Sequence, residues 1–428
     1  MLNKQWKLND YLTYILLTLI FLSAWTDING IFTELPQIIL TQPEGWRLGS
    51  HLGFVASLSN IAPLALVFCK CVCRNRPLNI IPINYIVIFI GMISCLLLVF
   101  LWSNTTYLFH QKRSVALLIL TFFLALLDCT SMVSFSHYMT RFPAEFTSAL
   151  FLGESLTMII PSLLAILQGN GRLTCVSSTN FNTISNASTV AIYETARFSV
   201  SVYFFCIFLL LCVSCTAFVL LQCTNVTKNV GNQDATVEPM MTEVHPIPEP
   251  PLRKLSPKFY ILLLIGALYT SSILYGIVFS ISAYVLMPYG HRIFYLGTIL
   301  SPWMFALVWF LGTIKPLIAK RYLLILIIVG SIIFSFDLII AVKSPCVPLM
   351  NTSVGSVLVL VIWLSPYIFL GYPRLVIANY VRTHSPNGMF WFGAQVQLGA
   401  LIGSVLSYLA VETFSLFKEQ IPCQRVQC

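Results

Sequence analysis

Residues 80–102 read IIPINYIVIFIGMISCLLLVFLW, a run with no Asp, Glu, Lys, Arg or His. A helix or strand at a water interface shows a polar face, repeating every 3.6 or every 2 residues. Neither period is present. About 20 apolar residues at 1.5 Å each cross the ~30 Å hydrocarbon core of a bilayer, so the run reads as a membrane-spanning helix. Working outward, ten more stretches have this character: 11–32, 51–69, 114–139, 148–168, 199–222, 258–286, 292–314, 322–342, 355–381 and 388–411. The expected fold is an all-α polytopic membrane protein with about eleven spans.

The composition of the whole chain agrees. Of 428 residues, 57% are hydrophobic and 9% are charged, against roughly a quarter charged in a soluble domain. That excludes a cytosolic enzyme, a nucleic-acid binder and a secreted disulfide scaffold. The net charge of +9 comes from 24 Lys and Arg spread thinly along the chain, so no nucleic-acid partner is expected and the lipid bilayer is the expected surrounding. Nothing in the pattern fixes an oligomeric state. Lys4 and Lys7 precede the first span as they would a signal peptide. The run lacks a small-x-small cleavage site and continues through Trp25 to Phe32, so it is expected to be retained.

A polar stretch at 223–257 is rich in Pro and Glu and has the composition of a flexible linker. It divides the chain into residues 1–222, with six spans, and 258–428, with five and a tail. Two bundles of this kind move against one another in many secondary transporters. With the N-terminus cytoplasmic, inner segments carry 14 Lys and Arg and outer ones 9, the bias the positive-inside rule requires. The sequons at Asn104, Asn186 and Asn351 then fall outside, where glycosylation is possible, and the one at Asn225 falls inside. The C-terminus is extracellular. Cys346, Cys423 and Cys428 lie on that oxidising side and are the disulfide candidates.

Ionisable side chains within spans are costly and so mark function. The first span carries Asp27, Asn29 and Glu34 beside Trp25; the fourth, Asp128; the fifth, Glu154. Arg374, Gln395 and Gln397 follow in the last two. Asp337 and Gln168 stand near span ends and read as helix-end or headgroup residues. Gly399 and Gly403 have the spacing of a close helix contact. No nucleophile elbow, zinc-binding HExxH or phosphate-cradling glycine loop is present, and Cys69, Cys71 and Cys73 lack metal spacing. Neither an enzyme nor a metal or organic cofactor is expected.

Several of these segments resemble a known family. Trp25-Thr-Asp-Ile-Asn-Gly-Ile-Phe-Thr-Glu-Leu-Pro36, then Pro43-Glu-Gly-Trp46, resembles the opening of the eukaryotic riboflavin transporters, solute carrier family 52. Ser59-Asn-Ile-Ala-Pro63, the stretch Leu120–Ser131, Met139-Thr-Arg141, Gly153-Glu154 with Pro161, and Gln168-Gly-Asn-Gly171 continue the likeness. Ser344-Pro-Cys346 and Val396-Gln-Leu-Gly399 extend it to the second half. Asp27, Tyr372-Pro-Arg374 and Ser301-Pro-Trp303 depart from the family pattern. The resemblance implies sodium-independent riboflavin uptake across the plasma membrane, with pH sensitivity that varies among members. It also implies eleven helices with a cytoplasmic N-terminus, in a fold like that of equilibrative nucleoside transporters and the major facilitators.

Riboflavin is a flat tricycle with a uracil-like edge and a chain of hydroxyls. Trp25 is the candidate stacking platform, Asn29 and Gln395 the paired donor–acceptor groups for the ring edge. Thr33, Ser131, Ser134, Asp128 and Glu154 are candidates for the hydroxyl chain, the two acids alternatively for holding the cavity's shape. Glu34 is the candidate gate near the outer mouth. A nucleoside or nucleobase transporter and a non-transporting membrane receptor stay open as alternatives.

Overall fold

The computed structural model describes residues 7–72, 80–108, 111–142, 146–169, 173–177, 189–193, 196–224, 256–314, 320–384 and 388–420. The 223–257 linker, the Asn186 and Asn225 sequons, and Cys423 and Cys428 fall outside them, apart from the linker's flanking residues. Eight helices precede the linker: α1 (Leu8–Phe21), α2 (Thr26–Ile38), α3 (Leu48–Leu58), α4 (Ile61–Val72), α5 (Ile80–Leu101), α6 (Val115–Tyr138), α7 (Thr147–Gln168) and α8 (Val200–Cys223). Two short hairpins, β1 (Thr106–Leu108) with β2 (Gln111–Arg113) and β3 (Leu173–Ser177) with β4 (Thr189–Tyr193), join helix ends. Seven helices follow: α9 (Pro257–Ser271), α10 (Val278–Leu286), α11 (His291–Ile314), α12 (Lys320–Lys343), α13 (Ser353–Phe369), α14 (Gly371–His384) and α15 (Gly388–Tyr408).

Among the described residues seven helices are long and apolar enough to span, or up to eight if α1 and α2 are taken as one bent span. The count of eleven is therefore not confirmed; two of the expected spans are broken. The 11–32 span bends by 51° between α1 and α2. There Trp25 takes a positive φ of 77°, and its N–H leaves the helical ladder for the Asp128 carboxylate at 2.8 Å. The 51–69 span breaks at Ser59–Asn60, where Ser59 Oγ donates to the Phe122 carbonyl at 2.7 Å and Asn60 Nδ2 to Ser57 at 3.0 Å. Pro63 then stands in the first turn of α4 and Pro373 in the first turn of α14, where a missing N–H costs nothing. Between α9 and α10 the backbone widens into a π-helical turn, Ser272–Ile277.

The α2–α3 loop carries the Pro43-Glu-Gly-Trp46 motif, and the structure gives each part a task. Glu44 caps α6: its two carboxylate oxygens take the Ser114 N–H at 2.7 Å and the Ser114 hydroxyl at 2.8 Å. Gly45 has φ +55°, and a Cβ there would sit 2.9 Å from a Glu419 oxygen, so only glycine suits it. Trp46 is buried edge-on to Tyr284 at 5.8 Å and donates its backbone N–H to Glu419 at 3.2 Å. Glu44→Ala should leave two buried donors unpaired and cost about 2–3 kcal/mol. Glu44→Gln, which keeps an acceptor oxygen, should lose less. Thermal unfolding of the purified protein in detergent checks the order.

Helices α1–α8 meet α9–α15 along one end of the bundle, where α2, α7, α10 and α15 finish and α3 and α11 begin. Phe32 stacks on Phe279 at 4.2 Å, and Phe54 on Tyr408 at 4.6 Å. His291 Nε2 donates to the Pro36 carbonyl at 2.9 Å and Tyr295 to that of Ala165 at 2.7 Å. Ser162 donates to the Ile299 carbonyl and receives the Trp303 indole N–H. Ser57 and Ser404 exchange a hydrogen bond at 2.8 Å. Asn104 and Asn351 are exposed in turns. Ser344, two residues before Cys346, donates its hydroxyl to the Lys418 carbonyl at 3.0 Å.

Candidate substrate site

From Phe21 to Pro36 every residue is buried except two, Trp25 and Asn29. They stand four apart, hence one above the other on a single face of the chain entering α2. An indole and an amide are thus the two partly exposed side chains of this segment. Asn29 Nδ2 reaches the Thr157 carbonyl on α7 at 3.4 Å, and Thr157 Oγ in turn donates to the carbonyl of Glu154, three residues earlier. Glu154 is half-buried, and the cation whose field reaches it is Arg374, on α14 of the other helix set. Arg374 donates to the Tyr275 hydroxyl and lies over that ring at 4.6 Å from its centre, a cation–π contact. Tyr275 is stacked on Phe305, rings 5.7 Å apart and 1° from parallel. Two linked groups, Asn29–Thr157–Glu154 on one side and Arg374–Tyr275–Phe305 on the other, thus lie within electrostatic reach of each other.

The remaining candidates are placed differently. Thr33, Glu34, Asp128, Ser131 and Ser134 are each 2% exposed or less. Thr33 gives its hydroxyl to the Asn29 carbonyl at 2.7 Å, and Ser131 to that of Asp128 at 2.8 Å. Ser134 Oγ has no partner among the described residues. Asp128 holds the Trp25 N–H with one oxygen and Asp27 takes the Ile28 N–H at 2.9 Å; the two residues are neighbours, and the second oxygen of each has no hydrogen-bond partner among the described residues. This pair sits at the bend between α1 and α2, behind Trp25. Gln395 is half-buried on the α15 stripe that includes Gly399 and Gly403, and no hydrogen bond among the described residues ties it to Asn29, Glu154 or Arg374.

Two residues read from sequence as helix-end or headgroup groups are in fact buried. Gln168 is 1% exposed; its amide donates to Glu34 Oε1 at 2.8 Å and to the Phe198 carbonyl at 3.2 Å. Glu34 is thereby tied to the far end of α7. Asp337, also 1% exposed, lies within electrostatic reach of Tyr367, which is bonded to Ser301. Its position six residues before the end of α12 looked peripheral because hydropathy places a residue along the membrane normal and says nothing of which way it faces. Tyr275 and Phe305 were missed altogether: an aromatic residue in an apolar run reads as packing.

A bundle of bent, membrane-spanning helices with polar groups facing each other from two helix sets is the construction of a secondary transporter. Solved structures share the fold: a bacterial homolog of the human lysosomal transporter Spinster (TM-score 0.53, 15% identity, 96% of this chain and 83% of that one) and the nucleoside transporter NupG (TM-score 0.51, 14% identity, 95% and 92%). The family model "Solute carrier family 52, riboflavin transporter" matches residues 9–419. Similar sequences include riboflavin transporter member 3-A of Danio rerio, 32% identical over 94% of this chain and 96% of that one, and member 3 of Homo sapiens, 28% identical over 96% and 98%. The chain belongs to the solute carrier family 52 riboflavin transporters.

Proposed function

We propose that this chain takes up riboflavin across the plasma membrane by alternating access, without sodium and with a dependence on pH. The observation that carries the reading is the pairing of Trp25 and Asn29 on one face of an otherwise buried segment. The indole would stack on the tricycle and the amide would pair with its uracil-like edge, while Glu154 and Arg374 close the opposite side. Their positions on α7 and α14 put them on opposite sides of the linker, as a site between two moving lobes of 1–222 and 258–428 requires. Thr33 and Ser131, bonded to backbone carbonyls, and the buried Ser134 serve the shape of this wall, and Gln395 borders it from α15.

In this reading the N-terminus is cytoplasmic and the packed end of the bundle is extracellular, so the conformation is closed to the outside. Glu34, locked to Gln168 there, belongs to the outer gate. Asn104, Asn186 and Asn351 are glycosylation sites of that side, and Cys346 pairs with Cys423 or Cys428 of the tail. The Ser344–Lys418 bond, which draws the start of that tail against the 344–346 turn, supports the pairing.

Uptake of radiolabelled riboflavin into expressing cells tests the function. Asn29→Ala, compared at matched surface abundance, should lower kcat/KM by about 10–100-fold, the loss typical when an amide reader of a polar edge is removed. Wild-type uptake no greater than that of empty cells would sink the reading, and equal competition by uridine would move it to nucleosides.

A further inference from the structure

A second polar cluster lies at the packed end of the bundle, away from the substrate residues. His51 of α3 is oriented by a hydrogen bond between its Nδ1 and the Arg47 carbonyl oxygen at 2.9 Å. A carbonyl oxygen only accepts, so Nδ1 carries the hydrogen. The second ring nitrogen, Nε2, lies 3.2 Å from Arg113 Nη1 and 3.4 Å from Glu412 Oε1. These neighbours make opposite demands. The guanidinium only donates and needs a bare nitrogen; the carboxylate only accepts and needs N–H. With Nδ1 fixed as a donor, a bare Nε2 is neutral imidazole and a protonated one is imidazolium.

The two partners also stand on opposite sides of the seam. Arg113 is on β2, just before α6, and is held by Gln111 Oε1 at 2.6 Å. Glu412 is in the π-helical turn Leu409–Thr413 that ends α15, and a second cation, Arg47, approaches its other oxygen at 3.7 Å. Among the described residues the other titratable neighbours are Tyr408, edge-on to the imidazole at 5.4 Å, and Tyr284 of α10, within electrostatic reach of Arg47 and Glu412. Glu44 and Glu419 are engaged with Ser114 and Trp46. Where α3 faces α2 and α10 its neighbours are Leu35, Phe279 and Ser280, which carry no charge.

We propose that His51 is a proton-binding site that selects between these partners: charged, it ties α15 to α3 through Glu412 and holds this end of the transporter shut; neutral, it turns to Arg113 and releases the seam. The proposal rests on the alternating-access reading above and adds its proton-sensitive closure. Acid favours the closed end, and rising pH frees it.

Ser280, 0% exposed at this seam, reports opening when replaced by cysteine. The full-length protein in lipid nanodiscs, without riboflavin, is labelled with a membrane-impermeant maleimide, and the increment over protein lacking Ser280→Cys is taken. Dividing the rate in a His51→Gln background by the rate with His51 intact cancels thiol chemistry. The ratio should be about 5 near pH 5.5 and fall to about 1 by pH 8, the strength of a partly buried ion pair that exists only while the imidazole is charged. Glu412→Gln, which leaves the His51–Arg113 bond in place but also removes the Arg47 pair, should give a ratio that falls with pH in the same way towards a plateau above 1, and serves if His51→Gln does not fold. A ratio independent of pH in either folded variant would overturn the proposal. Because no substrate is present, a flat ratio beside normal uptake sinks the latch alone, and a pH-dependent ratio without riboflavin uptake sinks only the transport reading.

Discussion

Gly403→Val is expected to abolish folded protein at the cell surface. A Cβ at Gly403 would lie 2.1 Å from the Ser272 carbonyl oxygen and 3.0 Å from the Gly276 Cα. Both obstacles are backbone, and both belong to the π-helical turn between α9 and α10, so no rotamer change can relieve them. Gly399, one turn earlier, meets the Leu268 carbonyl at 2.3 Å, and a Cβ on Gly276 would meet Gly403 at 2.5 Å. Two backbones thus touch along α15 without side chains between them, the contact that small residues four apart permit inside a membrane. Separating them by a valine's width would open the packing on both sides, at a cost above the roughly 1–3 kcal/mol of ordinary overpacking. Gly393→Ala on the same helix, where nothing lies within 4 Å, should be harmless. Surface biotinylation and a monodisperse peak in detergent distinguish the two; equal behaviour would show that α15 can shift to make room.

That contact was legible in the sequence as a spacing, and its partner was not. Spans such as 80–102 could be read directly, because lipid demands uninterrupted apolar helix and composition alone reveals it. The breaks could not, since they arise from contacts far along the chain: the bend at Trp25 depends on Asp128, and the break at Ser59 on the Phe122 carbonyl. Polar residues inside spans stood out for the converse reason, so Trp25, Asn29, Asp128 and Glu154 could be singled out before any coordinates. What each of them touches was hidden. Asp27 and Asp128, written in different helices, turn out to share one bend, while Glu34 is occupied by a glutamine that looked peripheral. The His51–Glu412 contact joins residues from opposite ends of the chain, beyond the reach of any local pattern.

The bend yields the second large effect. Asp128→Ala should depress riboflavin uptake by about tenfold or more even at matched surface abundance, whereas Asp128→Asn should retain most of it. The alanine leaves the Trp25 N–H without its acceptor at a residue whose φ of 77° already costs about 1–3 kcal/mol and persists only where neighbours enforce it. It also strips Asp27, 1% exposed, of the group it faces, and an unpaired buried polar atom adds about 1–3 kcal/mol more. Asparagine keeps an Oδ1 in the place of the carboxylate oxygen and offers Asp27 an N–H donor. Were the carboxyl itself a substrate ligand, both replacements would raise KM alike; as a support for Trp25, only the alanine should. Trp25 and Asn29 stand on one face because the chain turns where it does, so an Asp128→Ala protein with full uptake would mean that the indole finds its place without the bend.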